Sequence, residues 1–292
     1  MADKPTVTQA MIQAYDDYTH LTLDRRAFMD RLTKLAGSGA AAAAIAPLLA
    51  ANSAQAAIVA ADDKRIQTYE VRFRGATSIM QGYLAMPVLT SEPVPGMLIV
   101  HENRGLNDHI RDVTRRMALE GYASLAVDFL SPLGGTPSDE DTAREMISEL
   151  PASETTANAS AARAWLAGHP KVTDRVGAIG FCWGGGLVNQ LAVEDPDLRA
   201  GIVYYGRQPE TKDVPSIKAA MLLHYAGLDE RINAGIKDYR AALLANDKVF
   251  AIHVYPRVNH AFNNDTSAAR YNKAAADLAW ERTQAFLRGT MF

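Results

Sequence analysis

The sequence predicts an α/β fold, a mostly parallel eight-stranded sheet flanked by helices, and three observations carry that prediction. From residue 66 onward, short apolar runs alternate with longer stretches of helical spacing, the signature of right-handed β-α-β crossovers. Several of the runs, such as Met97-Leu-Ile-Val100, are continuously apolar, as expected of strands covered on both faces. The fifth run ends in Gly180-Phe-Cys182-Trp-Gly184 just before an apolar helical stretch, a G-x-C-x-G pattern suited to a very tight strand-to-helix turn.

Residues 1–57 differ from the remainder of the chain. A polar leader precedes Arg25-Arg26-Ala-Phe28-Met29, then an Ala-rich run over 35–51, then Ala54-Gln55-Ala56. Paired arginines, a moderately apolar stretch and an A-x-A site suggest a twin-arginine export signal, with a mature start near Ala57 and a periplasmic or otherwise exported product. The export machinery is then a partner, and the protein is cytoplasmic if the leader is not an active signal. The alternative is an amphipathic helix with an Ala-rich tail. Pro47 interrupts the run, so no stable membrane span is expected after processing.

Residues 58–292 read as a single domain. Alternation at 66–73, and more loosely at 78–86, predicts two antiparallel edge strands. Pro87, Pro93, Pro95 and Gly96 mark a loop before the strand at 97–100. Asn107 or Asp108 caps a helix carrying Ile110, Val113 and Met117 on one face. Next come a strand at 122–127, helices at 139–150 and 153–167 parted by Pro151, and the elbow strand at 174–180. The remaining elements are a helix at 184–194, strands at 199–205 and 219–225, a helix at 231–246, a strand at 249–255 and a final helix at 267–288.

Composition narrows the function. The 292 residues are 48% hydrophobic, enough to bury a sizeable core, and the net charge of -3 offers no basic surface for nucleic acid. Cys182 is the single cysteine, which excludes an intrachain disulfide and a Cys-rich zinc site. With no H-E-x-x-H or similar pair either, no metal and no cofactor are expected.

In such a sheet, ligands gather at the carboxyl ends of the strands. Three reactive residues fall there: Cys182 after the fifth strand, Asp229 after the seventh and His260 after the eighth. Each has an ordinary alternative: a buried core thiol, a helix cap before Arg231, a satisfied loop histidine. Their chain order, nucleophile then acid then histidine, is that of the α/β-hydrolase layout. A thiol needs a neighbouring imidazole to become the reactive thiolate, so His260 would take its proton while Asp229 orients the ring. The backbone N–H of Trp183 and one near Asn103 are the expected donors to a developing oxyanion. Glu102 comes directly after the third strand, where a carboxylate can hold or exchange the thiol proton.

Together, Gly-Phe-Cys182-Trp-Gly-Gly, His101-Glu102-Asn-Arg-Gly-Leu-Asn107, Ala226-Gly-Leu-Asp229-Glu-Arg231 and Asn259-His260-Ala-Phe262 resemble the dienelactone hydrolase (carboxymethylenebutenolidase) family over about residues 66–288. The resemblance implies a Cys182, Asp229, His260 triad controlled by Glu102, and hydrolysis of a lactone or activated ester, a small molecule, without metal. Asn263 and Asn264 stand where the family carries a carboxylate-binding arginine, so a neutral substrate is as well suited as an anionic one. Arg144, Arg104, Tyr205 and Asn264 are the candidate substrate contacts, with Arg104 equally readable as an exposed loop cation and Tyr205 as core. The alternatives are a thioesterase or general carboxylesterase on the same scaffold, or a non-catalytic binding protein. The oligomeric state is not readable from sequence.

Overall fold

The computed structural model describes residues 6–20, 22–50, 57–88 and 92–292. The chain begins with three helices, α1 (Gln9–Thr19), α2 (Arg25–Ala36) and α3 (Gly39–Leu49), whose first turns are capped by Thr8, Asp24 and Ser38 in turn. Met11, Tyr15, Tyr18, Phe28, Leu32, Ile45 and Leu49 close a small apolar cluster between them. Arg25 and Arg26 start α2 on the surface. No single described helix is long and apolar enough to cross a membrane. The Ala54-Gln55-Ala56 site lies outside the described residues.

The body of the molecule is one eight-stranded sheet. In chain order its elements are β1 (Ile66–Arg74), β2 (Ile79–Pro87), β3 (Val94–Val100), α4 (Asp108–Leu119), β4 (Ala123–Asp128), α5 (Glu140–Ser148), α6 (Ala152–Ala167), β5 (Val172–Phe181), α7 (Trp183–Glu194), β6 (Ala200–Tyr204), β7 (Ala220–Ala226), α8 (Glu230–Asn233), α9 (Ile236–Ala245), β8 (Phe250–Tyr255) and α10 (Lys273–Met291). The strand order is β1-β2-β4-β3-β5-β6-β7-β8. β2 pairs antiparallel with β1 and β4, and every other pairing is parallel.

Each face of the sheet is covered by helices, as its continuously apolar strands require. On one face Ala159 and Leu166 of α6, Val188 and Leu191 of α7 and Leu243 of α9 pack against the strands. On the other, Ile110, Val113 and Met117 of α4 and Ala279 and Leu287 of α10 do so.

Three elements differ from the sequence reading by more than two residues. β3 begins at Val94 and takes in Pro95 and Gly96, because its register against β5 shifts between Val94 and Gly96 and Pro95 sits at the shift, where no ladder donor is required. The expected 231–246 helix is two helices, and Gln208 Nε2 bonds the Ile232 carbonyl at the break. The last helix starts at Lys273 rather than 267; residues 264–271 form turns, and Asn272 caps the helix through Ala275 N–H.

Candidate active site

The elbow is built from steric necessity. Cys182 stands between β5 and α7 at φ 54, ψ -115, a left-handed conformation costly for a residue with a Cβ. The turn is closed so tightly that a Cβ on Gly180 would lie 2.2 Å from the Gly184 carbonyl oxygen, and one on Gly184 would lie 2.3 Å from that of His101. Only hydrogen fits at either place, which is the physical content of G-x-C-x-G. The Cys182 N–H donates to the Tyr204 carbonyl at 3.0 Å, and Trp183 stacks on the His101 ring at 5.3 Å. His101 itself is structural: its Nε2 accepts from Phe129 N–H and its Nδ1–H donates to the Glu102 carbonyl.

The other two members arrive from β7 and β8. His260 Nδ1 lies 2.5 Å from Asp229 Oδ2, both side chains being buried. The second oxygen of Asp229 accepts from Ile232 N–H, so this carboxylate is at once the cap of α8 and the partner of the imidazole. Among the described residues His260 Nε2 is buried with no hydrogen-bond partner, and a nitrogen of this ring lies within 4.8 Å of the thiol. Two further non-glycine residues with positive φ, Tyr205 (42°) and Ala261 (62°), adjoin the site, so local backbone strain concentrates there.

Electrostatics follow from this packing. Burial pushes the Cys182 thiol up, but the imidazoles of His260 and His20 outweigh it and bring the thiol down to about 6. Burial disfavours a charged His260, yet the sulfur, Asp229 and Asp16 together hold its pKa well above the ordinary value. Burial likewise raises Asp229, while the His260 charge draws it below the usual carboxylate range.

Cys182, Trp183, Asn103, Tyr205, Arg144 and His260 line one cavity of about 560 Å3, of the size that takes a small molecule. Trp183 is the first residue of α7, so its N–H is among the helix's unpaired donors. The Asn103 side chain donates to the Thr19 carbonyl at 2.6 Å. Arg144 lies over the Tyr18 ring at 4.1 Å and pairs with Asp141 at 3.3 Å, leaving its Nε without a partner.

The remaining expected residues stand elsewhere. Glu102 is held by Asn264 Nδ2 at 2.6 Å and by the Tyr205 hydroxyl at 3.4 Å rather than by the thiol. Asn264 is thereby used inside the protein and is not part of the cavity wall. Arg104, readable as an exposed loop cation, is instead buried between Glu140 (2.6 Å) and the Tyr15 hydroxyl (2.5 Å), away from the cavity.

The end of α1 supplies a further residue to the site. His20 Nε2 lies 3.4 Å from Cys182 Sγ, and the His20 ring meets the His260 ring edge-on at 4.7 Å. Nothing local marks His20, because its segment resembles an export leader; the aromatic, acidic and imidazole residues in Tyr15-Asp-Asp-Tyr18-Thr-His20 were the available signal. Two groups have metal-ligand spacing among the described residues, His20 with Cys182 and His260, and Asp16 with Asp229 and His260. Neither is read as a metal site, since each is made from the thiol–imidazole–carboxylate line and its immediate neighbours.

Comparison with known proteins agrees with this architecture. Residues 80–291 match the model of the dienelactone hydrolase family. A "Putative carboxymethylenebutenolidase" of Saccharolobus solfataricus is 32% identical over 245 residues, 72% of this chain and 93% of the relative. A protein of the same name from Methylorubrum extorquens is 32% identical over 245 residues, covering 79% of this chain and 84% of the relative. The crystal structure of a "Putative Dienelactone Hydrolase" from Klebsiella pneumoniae superimposes with a TM-score of 0.70 at 29% identity, covering 75% of this chain and 97% of that one. The fold is thus of the α/β-hydrolase type.

Proposed function

The chain belongs to the dienelactone hydrolase family, and from that premise we propose that it hydrolyses a lactone or activated carboxylic ester through Cys182, His260 and Asp229. The observation that carries this reading is the line from a strained, buried thiol to a buried imidazole with an open Nε2 and on to a buried carboxylate, facing a cavity of molecular size. The thiolate attacks the acyl carbon. His260 protonates the departing oxygen and then takes a proton from water for deacylation, while Asp229 keeps the ring oriented and its charge compensated. Trp183 N–H, with a second donor at Asn103, receives the developing oxyanion.

Glu102 acts through position rather than by holding the thiol. Its carboxyl group, tied to Asn264 and to the Tyr205 hydroxyl, steadies the Tyr205 ring, which in turn packs 4.8 Å from the His260 ring. Arg144, which lines the cavity, suits a carboxylate or carbonyl on the substrate. The exposed pair Arg25 and Arg26 keeps a twin-arginine export route in the proposal, with the leader retained as well as with it removed, and cell fractionation tests the route.

The deciding experiment measures turnover of a panel of activated esters and lactones, neutral and anionic, before and after Cys182→Ala. Turnover that vanishes with the thiol supports the proposal. Turnover that survives at the original rate removes Cys182 as nucleophile.

A further inference from the structure

We propose that His20 is a second catalytic imidazole, delivered by an N-terminal segment that stays on the working enzyme, so that two histidines divide the proton transfers at Cys182. The inference rests on the reading of Cys182 as nucleophile.

The geometry around His20 is that of an aimed group. Its Nδ1 lies 2.7 Å from the carbonyl oxygen of Asp16, one turn earlier, and so donates its proton there. That bond fixes the tautomer and turns the Nε2 lone pair to the sulfur 3.4 Å away. A neutral His20 can therefore accept the thiol proton, and a protonated one can donate back to the thiolate. His260 is anchored in the same manner through Nδ1 on Asp229, and the two rings stand nearly perpendicular at 88° around one sulfur.

The segment carrying His20 is fastened by groups that would be left exposed or unpaired without it. Arg104 and Arg270, both buried, meet Tyr15 and Asp16: Arg104 bonds the Tyr15 hydroxyl, and Arg270 lies 3.8 Å from Asp16 and 5.1 Å from the Tyr15 ring. The Tyr18 hydroxyl donates to Asp141 at 2.5 Å, and Asn103 holds the carbonyl of Thr19. Thr19 and His20 form part of the cavity wall, which continues past the sulfur to Arg144, Gln190 and Arg207, so the thiol keeps access to a small molecule.

The proton count closes over one turnover. In the resting state His20 Nε2 has already taken the S–H proton and His260 is protonated; from there the sulfur bonds the acyl carbon as the carbonyl electrons move to oxygen. Collapse of that adduct breaks the bond to the leaving oxygen, which takes the proton of His260 Nε2. Neutral His260 then takes a proton from water, and hydroxide adds to the thioester carbon. When the C–S bond breaks, the sulfur departs as the thiolate beside protonated His20, as it began. Ester and water become acid and alcohol, and both imidazoles end as they began. Asp16 on α1, Glu102 after β3, Tyr205 after β6, Asp229 after β7 and Arg270 before α10 are the other ionisable groups facing this arrangement, and none of them is altered in the test.

The test uses the full chain with His20→Ala, His20→Gln and Cys182→Ala, in buffer containing EDTA. It reads kcat and KM on an activated ester and the pH midpoint of Cys182 alkylation. Both His20 variants are expected to lose about tenfold to a hundredfold in kcat with little change in KM, and to move the alkylation midpoint upward. Intact mass of the protein recovered from its own cells is expected to include residue 20. Wild-type kcat and midpoint in both variants, a faster His20→Ala enzyme, or a mature chain starting near Ala57 would each overturn the inference while leaving Cys182 as nucleophile. Undiminished turnover in Cys182→Ala would instead overturn the reading beneath it.

Discussion

Replacing His260 with alanine removes the imidazole that faces the sulfur with an open Nε2. The intact site brings the thiol from 9.0 down to about 6. At about 1.36 kcal/mol per unit this favours thiolate by roughly 4 kcal/mol, and at pH 7 roughly nine-tenths of the sulfur is ionised. Without His260 the burial penalty is opposed by His20 alone, and the midpoint should rise by about two units, leaving roughly a tenth ionised at pH 7. The alkylation rate at pH 7 nonetheless changes little. A thiolate of higher basicity is intrinsically more reactive, by roughly eightfold for two units at a Brønsted coefficient of about 0.45, which almost cancels the lost fraction. The decisive assay is therefore iodoacetamide alkylation across pH 5 to 10, read as a midpoint. Ester turnover has no such compensation, because the proton donor to the leaving oxygen is gone, and should fall by about a thousandfold. A midpoint still near 6 in His260→Ala would refute the coupling of thiol and imidazole.

Two other outcomes derive from the same contacts. Gly184→Ala drives a Cβ to 2.3 Å from one carbonyl oxygen and 2.5 Å from another on the neighbouring strand end, so urea unfolding should show a loss of about 2 kcal/mol and turnover should drop with the displaced elbow. Tyr15→Phe removes the hydroxyl from buried Arg104; unfolding should show about 1–3 kcal/mol of lost stability, and unchanged stability would mean that α1 is not docked as described.

How much of this was written in local sequence differs from element to element. The elbow was legible because its requirement is local: sulfur at φ 54 between two glycines whose missing Cβ atoms let β5 and α7 meet leaves a five-residue trace. Asp229 and His260 were legible because parallel strands end on the same edge, so a reactive residue just past a strand is placed by the strand count alone. Glu102 was located correctly after β3, but its partners were not foreseeable. Whether a strand-end carboxylate faces the sulfur or turns to Asn264 depends on packing between loops 162 residues apart. Arg104 illustrates the same limit, since its burial exists only where Tyr15 and Glu140 converge on it.

By itself, then, the order of residues determined the sheet, its crossovers and which three side chains lie along its carboxyl edge, because periodicity and turn sterics act over a few residues. Tertiary structure alone decided that α1 folds back across that edge and sets His20 against Cys182, a contact between residues 162 apart. No local pattern encodes such an approach: it arises from burying Tyr15 and Tyr18 against arginines whose charges find their partners only once the chain has closed on itself.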